Sequence, residues 1–223
     1  MLSKNKKLVI FGSGQIAEVA HYFFSSDSEY EVVAFCVDAQ FKTQDTLQGL
    51  PIVTFEDIQK NYPQDEFFIF IAMSYNKVNV LRKERYQTFK EMGYKFASYI
   101  STNAICSTED IGEHCFILEQ NNIQPYAKIG KNVVLWSGNH IGHHSIVEDH
   151  CFISSHNVIS GGVLIGERTF IGVNSTLRDN ITVGKGAVIG AGALVLEDLP
   201  DLAVTFSEGS TLSRVPSNRL RSI

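Results

Sequence analysis

Five histidines, His140, His143, His144, His150 and His156, fall within 17 residues of a chain that holds seven in all. An imidazole takes up and releases a proton near neutral pH, so such a cluster points first to general acid–base catalysis and second to metal binding. Metal is the weaker reading, because zinc-type sites need a fixed ligand spacing or a partnering carboxylate pattern, and neither is evident; no metal site is expected. A second candidate lies near the start of the chain. Gly12-Ser13-Gly14-Gln15-Ile16-Ala17 follows the apolar run Leu8 to Phe11 and reads as a GxGxxA turn from a strand into a helix. Free backbone N–H groups and the helix dipole favour phosphate there, and the alternative is a tight turn without a ligand. Asp38, 24 residues after Gly14, stands where a carboxylate can hold a ribose hydroxyl, or is simply a solvated turn residue. The four cysteines, Cys36, Cys106, Cys115 and Cys151, form no CxxC pair. Neither a disulfide framework nor a structural zinc site follows from them.

The elements that position these residues follow two different rules. From Ile105, stepping by six gives Ile105, Ile111, Ile117, Ile123, Ile129, Leu135, Ile141, Val147, Ile153, Ile159, Ile165, Ile171, Leu177, Val183, Ile189 and Val195, all aliphatic. With about a quarter of residues Ile, Leu or Val, sixteen successive hits have a chance probability on the order of one in a billion. A period of six fits neither a helix nor a heptad, but it suits short strands stacked in a coil with each aliphatic side chain turned inward. Gly112, Gly130, Gly142, Gly166, Gly172, Gly184 and Gly190 follow the aliphatic residue and mark corners, where glycine adopts turn conformations closed to other residues. Small residues at Cys115, Ala127, Ser145, Cys151, Thr169, Ser175, Ala187 and Ala193 fit tight corners, so Cys115 and Cys151 read as packing and not as nucleophiles. Asn121, Asn139 and Asn157 recur at every third hexad, and they form an amide ladder if three hexads close one coil.

The first hundred residues alternate apolar strands with helices. Strands are predicted at Leu8 to Phe11, Val32 to Val37, Pro51 to Val53, Phe67 to Ala72 and Lys95 to Tyr99, with helices near Gln15 to Phe24, Phe55 to Asn61 and Val78 to Met92. This βαβ pattern makes a small Rossmann-like parallel sheet. The division is residues 1–100 for the α/β nucleotide-binding unit, 101–200 for an all-β parallel β-helix, and 201–223 for a C-terminal tail. A dinucleotide spans two mononucleotide halves, and five strands supply little more than one, so a single nucleotide fits better than NAD.

A small Rossmann-like unit followed by a hexapeptide coil resembles the PglD and NeuD group of bacterial sugar acetyltransferases, over nearly all 223 residues. The resemblance implies a left-handed β-helix, acetyl-CoA as co-substrate, a nucleotide-linked amino sugar as acceptor and a homotrimer with the acetyl-CoA groove between subunits. It implies nucleotide contacts at Gly12, Ser13, Gly14 and Asp38, and at Asn76, the one clean match where the group reads close to IGDN and this chain reads Met73-Ser74-Tyr75-Asn76. The group's catalytic histidine, in a segment like VVEHDCVIG, corresponds to His143. The acidic residue after it is His144 here, a second histidine is Phe152, and a nearby glycine is His156; Glu148 or Asp149 is the candidate for the missing carboxylate. The pantetheine arm is implied to lie along Gly161, Val173 and Ala191. Arg214 or Arg219, near an altered GNPAK-like segment, is the candidate for a CoA phosphate. The implied chemistry is direct N-acetylation with His143 as general base. The alternatives are O-acetylation of a sugar hydroxyl, and a β-helix binding or scaffold protein whose transferase site has decayed.

Composition narrows the classes further. Lys and Arg total 19 against 24 for Asp and Glu, so no basic footprint for nucleic acid is present. The longest apolar run, Phe67 to Met73, is far short of the roughly 20 residues that cross a bilayer, and the apolar stretch after Lys4, Lys6 and Lys7 is too short for a signal peptide. No membrane association and a cytoplasmic location are expected.

Overall fold

The computed structural model describes residues 4–219. The N-terminal sheet has the order β3-β4-β2-β1-β5-β6, with β1 at Lys6–Phe11, β2 at Tyr30–Val37, β3 at Thr46–Leu47, β4 at Leu50–Thr54, β5 at Phe67–Ile71 and β6 at Lys95–Phe96. All neighbours are parallel except β3 and β4, which form a hairpin. That hairpin is absent from the sequence reading; its signal is Gln48-Gly49, both at positive φ. The central strand β1 is buried on both faces from Leu8 onward, as a strand covered by helices on each side must be. Helix α1 covers Gln15–Ser26, α2 covers Ile58–Asn61 after a 3-10 turn, and α3 covers Val80–Glu91. The start of α3 lies later than expected because Lys77, Val78 and Asn79 all have φ between 51° and 63°, a left-handed turn that cannot feed directly into a right-handed helix.

The predicted strand Lys95 to Tyr99 is corrected to two strands in different sheets. Lys95–Phe96 pairs with β5, whereas Tyr99–Ile100 pairs with Phe116–Ile117 and so begins the coil. From there the chain winds a three-sided parallel β-helix. Face 1 stacks the strands at Tyr99–Ile100, Phe116–Ile117, Val134–Leu135, Phe152–Ile153, Phe170–Ile171, Val188–Ile189 and Val204–Thr205. Face 2 stacks Ile105–Cys106, Asn122–Ile123, His140–Ile141, Val158–Ile159, Thr176–Leu177 and Leu194–Val195. Face 3 stacks Lys128–Ile129, Ile146–Val147, Leu164–Ile165 and Thr182–Val183.

Fourteen of the sixteen aliphatic positions, from Ile117 to Val195, are buried in one continuous core, and Ile111 packs against it. Ile105 does not belong to the series. It is 64% exposed, because the first coil is one residue short and Cys106, not Ile105, pairs with Ile123.

The corner glycines need a second correction. None of the seven has positive φ; a Cβ on Gly112, Gly130, Gly142, Gly166, Gly172, Gly184 or Gly190 would instead meet backbone of the next coil at 2.3–2.8 Å. The left-handed residue is two places further on, in a six-residue series from His114 to Gly192 that includes Asn132, His144, His150, His156, Asn174 and Asn180. Asn and His are among the side chains that tolerate this conformation best. Three of the five clustered histidines therefore occupy turn positions for conformational reasons.

Small corner residues close the coil polarly as well as sterically. The hydroxyls of Ser145, Thr169 and Ser175 and the thiols of Cys115 and Cys151 each donate to the carbonyl 15 residues on. Burial pushes both thiols up to about 12, which fits packing and not nucleophilic catalysis. The amide ladder is present in part: Asn157 N donates to Asn139 Oδ1 at 2.9 Å and Ser175 N to Asn157 Oδ1 at 2.8 Å, whereas Asn121 Oδ1 accepts no bond and its amide nitrogen donates to the carbonyls of Leu118 and Trp136 instead.

The N-terminal unit packs on face 1. Outward-facing Phe116, Val134 and Phe152 are buried, and Phe170 half-buried, in a shared cluster with Phe24, Phe70 and Tyr99. Arg82 of α3 pins the corner between faces 3 and 1. It is fully buried without a carboxylate partner; one guanidinium nitrogen donates to Asn132 Oδ1 (2.6 Å) and to the Asn132 carbonyl. The other donates to the carbonyls of His150 (2.7 Å) and Cys151 (3.1 Å). The chain of bonds continues through neutral imidazoles: Ile71 N donates to His114 Nε2 (2.8 Å), which leaves His114 Nδ1 to donate to Asn132 Oδ1 (2.9 Å), and Asn132 Nδ2 donates to His150 Nδ1 (2.8 Å).

Candidate functional site

The strand order reverses between β1 and β5, and in open parallel sheets a ligand crevice forms outside the carboxyl ends of such a pair. Gly12 follows β1 there with φ +130°, and a Cβ on it would stand 2.7 Å from the Ala72 carbonyl oxygen at the end of β5. Glycine is required at this position on both counts. Gly14 caps α1 with extended backbone, no side-chain cap and open space around it. The first turn of α1 thus presents its N–H groups at the crevice. Ser13 is half-buried, and Asn76 is exposed in the loop after β5. The turn residues Gly12, Ser13 and Gly14 are therefore brought to the crevice, and Asn76 follows Tyr75 in the loop at the carboxyl end of β5. Asp38, after β2, reaches the same edge already paired: Arg85 Nη2 donates to both of its carboxylate oxygens at 2.8 and 2.9 Å, and that guanidinium lies between the rings of Phe11 (4.4 Å) and Phe55 (4.5 Å).

Where the crevice meets the β-helix, Ile16, Tyr75, Trp136, Phe152, Ser154, Ser155 and Val173 enclose a cavity of about 220 Å³. Tyr75 rests on Phe170 (4.2 Å between centroids) and Phe152 (5.1 Å). Val173 and Ala191, one full coil apart, stack on the same corner, between faces 1 and 2.

His143 lies on a different corner, between faces 2 and 3, and is exposed. Its backbone N–H donates to Gln124 Oε1 (3.1 Å) on the preceding coil. Its ring covers Gly161 on the following coil, with Cε1 2.6 Å from where a Cβ would stand. His143 Nδ1 and His144 Nδ1 are 3.1 Å apart, and His144 stacks on Tyr126 with centroids 4.8 Å apart. The carboxylates considered as substitutes are engaged elsewhere: Glu148 accepts the Glu167 N–H at 2.9 Å and Asp149 the Lys131 N–H at 2.7 Å. Of the three residues expected along the pantetheine arm, Gly161 stands with His143, whereas Val173 lines the cavity beside Ile16 and Tyr75 and Ala191 follows it one coil further along the same corner. Arg214 and Arg219 lie in the exposed segment after Thr205.

The remaining clustered histidines have other surroundings. His150 is buried under Tyr86 and Arg82, His156 fills the space beside Gly138, and His140 lies in a face 2 strand. Among the described residues no three His, Cys, Asp or Glu side chains converge as metal ligands, and no helix is long and apolar enough to cross a membrane.

The bacterial transferase hexapeptide family (six repeats) matches residues 126–161 and 162–197. A search of curated protein sequences finds no relative. Among solved structures, the acetyltransferase domain of PglB from Neisseria gonorrhoeae is similar over 90% of this chain and 96% of its own, with 26% identity and TM-score 0.79. The same domain in complex with acetyl coenzyme A aligns with TM-score 0.80 at 25% identity, over 90% and 95% of the two chains. A histidine-to-asparagine mutant of perosamine N-acetyltransferase from Caulobacter crescentus, in complex with CoA and GDP-perosamine, shares the fold with TM-score 0.80 at 22% identity over 92% and 94%. Repeat, coil and sheet topology, and full-length likeness agree: residues 126–197 carry the bacterial transferase hexapeptide repeat, and the chain as a whole is similar to the PglD- and NeuD-like acetyltransferases in its two-part architecture.

Proposed function

We propose that the protein transfers an acetyl group from acetyl-CoA to the amine of a nucleotide-linked sugar, with the nucleotide in the β1/β5 crevice and His143 as general base. The observation that carries this reading is the pairing, in one chain, of a phosphate-ready glycine turn at the switch point with an exposed imidazole on a hexapeptide corner. The bound ligands of the PglB domain and of the perosamine enzyme support the same two substrates.

The amine lone pair attacks the thioester carbonyl, a C–N bond forms and the carbonyl oxygen becomes an oxyanion held by a backbone N–H. The C–S bond then breaks, and the ammonium proton passes to His143 Nε2 and on to the departing thiolate. Among the described residues Nε2 has no hydrogen-bond partner, so it is free to take that proton.

His143 and the crevice occupy different corners of the same coil, with face 2 between them. A homotrimer, in which the corner of one subunit meets the crevice of the next, would complete the site. Exposed Ile105, Val158 and Leu194 on face 2 provide apolar surface for that contact. The site would lie in the cytoplasm.

The test is incubation with acetyl-CoA and a panel of UDP-, dTDP- and GDP-linked amino sugars, following free thiol release and acetylated product. His143→Asn is expected to lower turnover by roughly a hundredfold or more with acetyl-CoA affinity retained. No thiol release with any amino sugar, or tight binding of NAD in the crevice, would refute the reading.

A further inference from the structure

We infer that His144 is the positioning residue for His143, a neutral imidazole standing where a carboxylate would otherwise orient the base. The inference rests on His143 being the base, as proposed above.

Two ring nitrogens 3.1 Å apart, His143 Nδ1 and His144 Nδ1, require one proton between them. When that proton sits on His143 Nδ1, His144 accepts it, and the Nε2 of His143 is left with its lone pair free. A hydrogen bond from one ring nitrogen fixes tautomer and ring orientation at the other. Adjacent residues in a strand point to opposite faces. Here the contact forms because His144 adopts the left-handed corner conformation, φ 61°, which turns its ring back toward His143 at 84° to it.

The partner ring is itself held. Tyr126, in the same left-handed slot one coil earlier, stacks on it at 4.8 Å and 32°. The His144 N–H also donates to the Pro125 carbonyl, at 3.4 Å. The backbone of His143 is held by Gln124, which accepts its N–H, and its ring lies over the bare backbone of Gly161. Tyr126 is the titratable side chain packed on the pair; Arg178 and Asp179 stand two coils along the same corner.

This arrangement has a functional signature that a carboxylate would not give. A carboxylate remains an acceptor throughout the neutral range, whereas His144 stops accepting once its own Nδ1 is protonated, and it then repels a proton on His143.

Four proteins decide the matter: wild type, His143→Asn, His144→Asp and His144→Phe. Asp tolerates the left-handed corner and restores an anionic acceptor; Phe keeps the ring over Tyr126 and removes the acceptor. Both kcat and KM for acetyl-CoA are measured from pH 5.5 to 9, with thermal unfolding alongside. His144→Asp should move the acid limb of kcat/KM upward by about one pH unit. His144→Phe should lower kcat about tenfold or more, with KM for acetyl-CoA within about twofold. If both variants reproduce the wild-type pH profile while His143→Asn is inactive, the positioning role is wrong and the base assignment stands. If His143→Asn keeps wild-type turnover, the base assignment itself fails. Should His144→Phe unfold, the acid limb of His144→Asp alone decides.

Discussion

The imidazole of His143 occupies the space that a side chain at Gly161 would need, one coil further along the same corner. Gly161→Ala therefore forces the ring away from its seat without touching the core. A displacement of about 1 Å costs on the order of a hundredfold in rate at a positioned catalytic group. We expect kcat to fall by that order while the melting temperature changes little. Wild-type kcat in Gly161→Ala would show that the ring does not work from this seat.

Arg82 joins α3 to the corner of the β-helix through four oxygen acceptors on Asn132, His150 and Cys151. Burial lowers its pKa to about 10, so it stays charged at neutral pH. Arg82→Met leaves the buried carbonyls of Asn132 and His150 without donors, while Asn132 Oδ1 and the Cys151 carbonyl keep those of His114 and Val134, and is expected to destabilise by about 3–5 kcal/mol. Arg82→Lys should fare only slightly better, since an ammonium cannot reproduce the fork. Chemical denaturation of both variants measures this, and a loss below about 1 kcal/mol, the worth of a single hydrogen bond, would mean that the Arg82 fork does not hold the two parts together.

His114 and His150 are neutral within this junction. Burial lowers His114 to about 3, and burial together with the Arg82 charge lowers His150 to about 4. In the unfolded chain both titrate near 6.5. Their folded values are depressed, so their contribution to stability is complete above pH 6.5 and is lost as pH falls toward 4 and 3. Each group costs about 1.4 kcal/mol per pH unit in that window. His150→Gln should reduce the slope of unfolding free energy against pH between 6 and 4 by nearly one proton. An unchanged slope would show that His150 is charged in the folded protein.

Gly12→Ala places a Cβ against the Ala72 carbonyl in a backbone conformation that alanine avoids. Destabilisation of about 1–3 kcal/mol is expected, with loss of nucleotide-sugar binding measured by calorimetry and acetyl-CoA binding kept. Full retention of nucleotide-sugar affinity would place the ligand away from this turn.

The coil was legible because a six-residue aliphatic period is written into consecutive residues and nothing else produces it. What the period could not show was phase at its start, where a single missing residue turns Ile105 outward and Cys106 inward. The density of histidines looked like one chemical site, yet His144, His150 and His156 share a backbone conformation before they share any chemistry. Glycines at the corners were recognisable, but the reason for them lay between coils, in distances no single hexad contains. Asp38 was found at the right edge of the sheet, while its partner Arg85 comes from a helix 47 residues later. Arg82 gave no signal, since its acceptors are backbone carbonyls whose neighbourhood exists only after the two parts have docked. The apolar row on face 1 was readable in retrospect: Phe116, Val134, Phe152 and Phe170 recur once per coil, each just before an inward aliphatic, where the strands of the other two faces carry no Phe, Tyr or Trp.

That row also limits how this half of the molecule can change in length. Removing one hexad would leave every inward aliphatic in place and the core intact. It would nonetheless turn all later corners by a third of a revolution, carrying Phe152 and Phe170 away from the N-terminal unit and His143 to another edge. Only whole coils, three hexads at a time, can be gained or lost without disconnecting the two halves, so the unit of viable insertion is three times the unit of sequence repetition.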